Sequence, residues 1–376
     1  MTSFYVKVIE RTAYRLFSLI LACALIALAG RTQAEIVPDL YAVSVPVVEQ
    51  GQAELQRAAA IGLRELAVRI SGRSSAASDP KLAPLFANAA RYLEQYRYER
   101  SAGGNSPWVA QLRFGPALIE GELRKAGLPV WGGNRPALQA FLVVEDKGAR
   151  TMLDDNSPFA NVLREQWRRR GLVLHLPRDA GAVNVDDVAR LDATQVSASR
   201  QDRADGIVLG RIVLTPNGAC DSRWLLNLGT LKGINAQSLN ADATGNDLAT
   251  CVAIAFDRLV DDFSSQYAIA ANSSAEGIVL RVTGIASFDD YVAVLNYLRR
   301  LAAIKNAQPA LLRDDELLLQ LKVEGGTEQL TRQLALESRL TPTENNADTL
   351  KGINTPLPVT LSYRWAATLK GTDARN

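Results

Sequence analysis

The chain has 376 residues, with 42 Lys+Arg against 40 Asp+Glu, a single histidine (His175) and three cysteines (Cys23, Cys220 and Cys251). One histidine excludes a two-histidine zinc site, three cysteines exclude a four-cysteine cluster, and any Ser-His-Asp or Cys-His chemistry would have to use His175 as its base. The near-neutral charge argues against a sequence-independent nucleic-acid binder, and 47% hydrophobic with 22% charged residues is a globular composition whose length predicts two or three domains.

The first element in chain order is an address. Lys7, Arg11 and Arg15 precede an apolar run of 14 residues from Leu16 to Ala29, shorter than the ~20 a membrane span needs. Thr32-Gln33-Ala34 then offers small residues for cleavage, with a mature start at Glu35. This is the layout of a signal peptide over residues 1–34 and predicts export to the periplasm. The alternatives are an uncleaved anchor or a short buried helix. A lipoprotein reading through Cys23 is weaker, because Leu21 fits poorly and the apolar run continues past the cysteine. Without residues 1–34, which hold four basic groups and one acid, 38 basic and 39 acidic residues remain. Cys220 and Cys251 are then an even pair, which an oxidising compartment reads as a disulfide. Closing a loop of this length contributes roughly 3.5 kcal/mol on chain-entropy grounds. The alternative is two buried thiols.

The first block, about 35–130, reads β-α-α-β-β-α. Tyr41, Val43, Val45 and Val47 alternate as a strand, and Gln52 to Ile70 carries an apolar helical stripe ended by Ser71-Gly72. Asp79-Pro80 opens a second helix. Tyr92–Glu99 and Pro107–Phe114 are strands joined by the turn-rich Ser101 to Asn105, and Pro116–Ala126 is a helix stopped by Gly127. This is a small α+β sandwich.

A Gly- and Pro-rich junction, Leu128 to Arg135, leads into the second block, about 136–272. Strands are expected at Leu138–Val144, Leu172–Leu176, Gly206–Leu214, Trp224–Leu231 and Ile234–Leu239. Helices are expected at Ser157–Arg170, Val185–Leu191, Ala193–Arg203 and Asp247–Ala270. Alternation followed by a meander predicts a mixed sheet.

The third block, about 276–365, has strands at Ile278–Val282, Ala303–Leu312, Leu317–Val323 and Val359–Trp365, with helices from Ser287 to Leu301 and Thr327 to Ser338. This β-α-β-β-α-β order is ferredoxin-like. Asn345–Asn354 reads as a loop and the C-terminal residues as a frayed tail.

No phosphate loop, dinucleotide fingerprint or nucleophile elbow occurs. Ser78-Asp79-Pro80-Lys81 has S-x-x-K spacing but explains itself as a helix start. His175 ends a predicted core strand, where a local hydrogen bond is the plain reading. The pairs Asp154-Asp155, Asp186-Asp187, Asp261-Asp262 and Asp289-Asp290 do not converge, because adjacent helical residues point about 100° apart; solvated or capping roles account for them. Arg168-Arg169-Arg170 ends a helix, as a solvated face or as a contact for anionic lipid or a partner. Trp131 and Arg135 sit in the junction, either packed between domains or as a partner-binding anchor. The partner-binding candidates are therefore Trp131, Arg135, Arg168 and Arg169. No catalytic residue, metal or cofactor is expected.

YAVSVPV, RAAAIGLRELAVRISGR, YLEQYRYE, LRKAGLPVWGGNRP, RGLVLHLP, ADGIVLG and VTGIASFDDYVAVLNYLRRLAAI resemble the exported bacterial proteins of domain of unknown function 2066, over most of the mature chain. That resemblance brings no activity. The middle block is similar to the amino-terminal domain of the TolB translocation protein and to lipoprotein activators of cell-wall synthases. The first block looks like domains of flagellar and curli secretion accessory proteins. These resemblances imply binding of an envelope partner.

The expected fold class is α/β and α+β in three small domains: a sandwich over 35–130, a mixed-sheet TolB-like domain over 131–272, and a ferredoxin-like domain over 273–366, with a disordered tail at 367–376. The expected function is a periplasmic, non-catalytic envelope factor that binds a protein or cell-wall component, with no nucleic acid and no membrane span after cleavage. A hydrolase of wall or lipid material and a carrier of an apolar ligand are the alternatives.

Overall fold

Three patterned stretches of the chain each fold their apolar faces onto a sheet of their own. The computed structural model describes residues 39–101, 106–133, 135–178, 181, 183–197, 204–228, 238–271, 273–336, 339–344 and 359–366. The expected leader over 1–34, the turn at 102–105, the loop at 345–354 and the tail at 367–376 lie outside these residues.

In the first block β1 (Ala42–Val47), β2 (Leu93–Arg100) and β3 (Trp108–Phe114) form an antiparallel sheet in the order β1-β3-β2. The alternation in β1 turns Val43, Val45 and Val47 onto α1 (Gln52–Ser71), whose stripe Ala59, Leu63, Leu66 and Ile70 is fully buried against them. Asp79 caps a 3₁₀ turn at Pro80–Leu82 by accepting from Lys81 N, and a short α2 (Ala83–Ala87) follows. The expected second helix is thus split in two. α3 (Pro116–Lys125) begins on its proline and ends before Gly127, which adopts φ +82°.

The second block is a six-stranded mixed sheet, β5-β4-β7-β8-β9, with β6 sharing an edge of β4. Its strands are β4 (Ala137–Asp146), β5 (Ala149–Met152), β6 (Val173–His175), β7 (Gly206–Leu214), β8 (Cys220–Asn227) and β9 (Ser238–Gly245). β4 runs parallel to β6 and β7, and the remaining pairs are antiparallel. α4 (Ala160–Arg170) and α7 (Leu248–Tyr267) pack with Leu142, Val208 and Trp224 on one face. α5 (Val185–Ala189) and α6 (Ala193–Ser197) lie against Phe141, Ile207 and Leu209 on the other. Burial on both faces explains the dense apolar runs of β4 and β7, interrupted at Gln139 and Arg211.

The structure corrects two strands here. β8 begins at Cys220, directly after the Gly218 turn, and not at Trp224, because the hairpin pairs Leu214 with Cys220. β9 covers Ser238–Gly245 and runs past the end of the expected Ile234–Leu239, of which 234–237 lie outside the described residues.

The third sheet contains β10 (Ala275–Thr283), β11 (Ile304–Arg313), β12 (Glu316–Glu324), β13 (Leu340–Pro342) and β14 (Leu361–Trp365), in the order β11-β12-β10-β14-β13. Its core takes in Val294 and Leu298 from α8 (Phe288–Arg300) and Leu330 and Leu334 from α9 (Gly326–Ala335). Ser287 caps α8 by accepting from Asp290 N, as the sequence predicts. A plain β-α-β-β-α-β chain would end on a strand antiparallel to β10. Here the three-residue β13 takes that sense, and β14 returns beside it parallel to β10. Among the described residues the chain is mixed α/β with three sheets, consistent with α+β. Among the described residues no helix is long and apolar enough to cross a membrane.

Candidate functional site

The last four carbonyls of any helix lack intrahelical donors and carry the negative end of its dipole. In this protein three helix ends meet where the sheets join, and each is satisfied from a neighbouring block. α1 ends at Gly72, whose φ of +72° and missing Cβ are both required: a Cβ there would lie 2.4 Å from Cβ of Ser264 on α7. Ser264 Oγ donates to Gly72 O at 2.7 Å, and Trp131 N donates to Ile70 O at 2.7 Å.

Three buried arginines complete the arrangement. Arg170, with no exposed surface on its side chain, sends Nη2 to Gly72 O at 2.7 Å and to Asp261 Oδ1 at 2.6 Å, and Nη1 to Asp257 Oδ1 at 3.0 Å. Arg69, on α1, returns the contact through Nε to Arg169 O at 3.3 Å, and Nη1 reaches Ala42 O at 2.7 Å. Arg135 bridges both helix ends: Nη1 donates to Arg170 O at 2.7 Å and Nη2 to Arg69 O at 2.7 Å and Trp131 O at 2.9 Å. Its Nε donates to Gly132 O at 3.0 Å, and its guanidinium lies 3.9 Å from the Trp131 ring centroid. Among the described residues Arg135 is thus held by carbonyls and a π face. Burial, followed by the like charge of Arg69, depresses its pKa well below the usual guanidinium range. Burial lowers Arg69 as well, opposed chiefly by Glu65.

The end of α7 is held from the third block in the same manner. Gln333 Nε2 donates to Tyr267 O at 3.1 Å while its Oε1 accepts from Ala303 N at 3.1 Å, and Gln329 Nε2 donates to Gln266 O at 3.2 Å. Arg124 and Glu324, paired at 2.8 Å, join the first and third blocks directly.

Beside this junction lies a cavity of about 130 Å³, lined by Ser71, Gly127, Pro129, Ser264, Ser265 and Ala268. Small-molecule pockets run to about 300–1,000 Å³, so this one has room for a few waters.

The structure redistributes the candidate residues. Trp131 and Arg135 are 1% and 4% exposed, so they form the joint and present no surface to a partner; the anchor role gives way to packing between blocks. Trp131 stands edge-on to Phe263 with ring centroids 5.6 Å apart. Arg168 and Arg169 are both partly exposed; Arg168 pairs with Glu165 at 2.7 Å and Arg169 with Asp257 at 2.6 Å. Cys220 and Cys251 form a disulfide that ties the start of β8 to the first turn of α7. His175 closes β6 and is half-buried. Asp261, placed by sequence among solvated or capping acids, instead accepts from Arg170, Ser74 N and Ser74 Oγ.

Sequence reasoning missed Arg69 and Arg170 as junction residues. Ala160, Leu163 and Trp167 define the buried stripe of α4, and Arg170 continues it at helical spacing. Among the described residues no group of three or more His, Cys, Asp or Glu is placed to hold a metal ion.

A family model described as Domain of unknown function (DUF8605) matches residues 34–132. The match spans the first block and stops after Trp131, so it includes Arg69 and Gly72 but not Arg135. It overturns the resemblance to domain of unknown function 2066, and the likeness of the middle block to the TolB amino-terminal domain finds no support. No curated protein matches the chain.

Proposed function

We propose that this protein is a non-catalytic binding factor of the cell envelope, exported to the periplasm, which recognises a protein or cell-wall component with its outer surface. The observation that carries this reading is the junction. Arg69, Arg135 and Arg170 bond helix-end carbonyls across the join of the first two blocks, and Gln329, Gln333 and the Arg124–Glu324 pair tie in the third, which favours three domains, 35–130, 131–272 and a ferredoxin-like 273–366, held in one orientation. A body fixed in this way presents its surface features at constant spacing, the preorganisation that recognition rewards.

Two surface features suit contact. Arg168 and Arg169 form a basic pair at the end of α4. Phe288, 75% exposed, stacks on Tyr291 at the start of α8. The Cys220–Cys251 disulfide and the leader pattern of Lys7, Arg11, Arg15 and Leu16–Ala29 support an oxidising, exported setting.

Photocrosslinking in intact cells tests the reading, with a photoreactive residue at position 288 in one strain and 168 in another. The expected result is one recurrent envelope partner together with recovery of the protein in the periplasmic fraction. Recovery in the cytosol, or no adduct from either position, overturns it.

A further inference from the structure

Most edge strands of the three sheets carry a guard against pairing with another chain. β1 contains Pro46, β11 contains Pro309 and two register irregularities, β13 is three residues with Pro342, and β5 is four residues. On β9, Arg258 Nη1 donates to Asp242 O at 2.6 Å. β2 differs. It is eight residues long without proline, pairs among the described residues only with β3, and its single register irregularity lies at its first residues, between Leu93 and Gln95. Six of its residues are exposed, Tyr96 at 53%.

The two faces of β2 differ in chemistry. Arg97 and Glu99 lie on the face shared with Gln111 and Ser44, where Arg97 pairs with Glu99 at 2.8 Å and Gln111 Nε2 donates to Glu99 at 3.1 Å. Tyr96, Tyr98 and Arg100 lie on the face shared with Leu112, Ala110 and Trp108, with Tyr98 packed on the core and Arg100 5.3 Å over the Trp108 ring.

We propose that the β2 edge pairs antiparallel with β2 of a second copy of this chain, in the register that sets Tyr98 opposite Tyr98. Residues directly opposite in an antiparallel pair share a face and interact. This register places Arg97 of one copy opposite Glu99 of the other, twice over by symmetry, on the open face. On the helix face it places Tyr96 opposite Arg100, also twice, a cation–π pairing. All six charges that Arg97, Glu99 and Arg100 contribute in the two copies meet an opposite charge or a ring. Moving the two-fold axis by one residue destroys the match: centred on Arg97 it opposes arginine to arginine, and centred on Glu99 it opposes glutamate to glutamate. The interface is isologous, as closed dimers require, and joins two three-stranded sheets into one of six.

Light scattering on the purified protein over a wide concentration range tests the proposal. The wild type is expected to approach twice the chain mass as concentration rises. Arg97→Glu opposes glutamate to Glu99 at two places and is expected to weaken association by about tenfold or more. The swap Arg97→Glu/Glu99→Arg restores opposite charges across the two-fold as well as within each strand and is expected to recover the dimer. Circular dichroism checks the fold of each variant. Hydrogen exchange gives an independent reading, because protection of the Tyr96–Arg100 amides should fall on dilution. A monomer at every concentration, a charge reversal without effect, or a swap that stays as weak as the single reversal overturns the proposal.

Discussion

Arg170 and Asp261, 91 positions apart in sequence, meet at 2.6 Å, and the other carboxylate oxygen of Asp261 accepts from Ser74 Oγ at 2.6 Å. One carboxylate thereby holds the end of α4 and the chain just after α1 to the middle of α7. Replacing Asp261 by Ala leaves Arg170 with Gly72 O and a single carboxylate, Asp257. Breaking a buried pair costs about 3–5 kcal/mol; because Asp261 is 31% exposed, the expected loss is nearer 2 kcal/mol. Urea unfolding followed by circular dichroism measures it, and an unchanged midpoint would mean that solvent screens the pair.

Arg135 is expected to tolerate no substitution. Arg135→Met leaves buried carbonyls at Arg69, Trp131 and Arg170 without this donor, at about 1–3 kcal/mol for each that stays unsatisfied. Arg135→Lys should fare little better, since a single ammonium cannot reproduce a planar fork that reaches two helix ends at once. Thermal unfolding of both variants decides this. A lysine variant that melts with the wild type would refute the bridging role.

Gly72 and Gly218 separate conformational from steric cost. Both have positive φ, +72° and +84°, but a Cβ on Gly218 would meet open space whereas one on Gly72 would strike Ser264. Gly218→Ala should cost about 1–2 kcal/mol, and Gly72→Ala distinctly more. Equal losses in denaturant titrations would remove the argument for a close approach of α1 to α7.

The disulfide yields a chemical prediction. Alkylation without reductant should leave Cys220 and Cys251 unlabelled in mass spectra of the purified protein. The double variant Cys220→Ala/Cys251→Ala should lose about 3–4 kcal/mol, read as a lower denaturation midpoint.

Glu54 supplies a pH dependence. Arg57 donates to it from Nε at 2.8 Å and Nη2 at 2.6 Å, and Val48 N donates at 3.1 Å. These bonds, Arg57 first, lower its pKa from 4.5 to about 2. A depressed folded-state pKa means that the stabilisation is complete above pH 4.5 and lost as pH falls through about 2. Wild type and Glu54→Gln should therefore differ in stability at neutral pH and converge towards pH 2. A difference that persists unchanged at low pH would assign the effect to packing.

The elements with strong apolar periodicity were legible. α1 and β7 fall within a residue of their expected limits, because a long stripe or a dense apolar run constrains both ends. β9 was not legible: Ser-Leu-Asn-Ala-Asp-Ala-Thr-Gly has little strand character and becomes a strand through pairing with β8. β13 is too short to carry a pattern. The same limit hid the junction. A run of three arginines announces a helix end, but only tertiary packing decides that Arg170 turns fully inward while Arg168 stays partly exposed.

The bond from Ser264 to Gly72 spans 192 positions. A ribosome delivers the chain from its N-terminal side, so the first block emerges before the residues that cap the end of α1. Arg135, Arg170 and Ser264 arrive in that order, each closing part of the same joint. The first block can collapse on its own core early, but its last turn must wait for most of the polypeptide. Vectorial delivery therefore leaves this protein with a prolonged half-finished state, and the joint sets the moment at which that state ends.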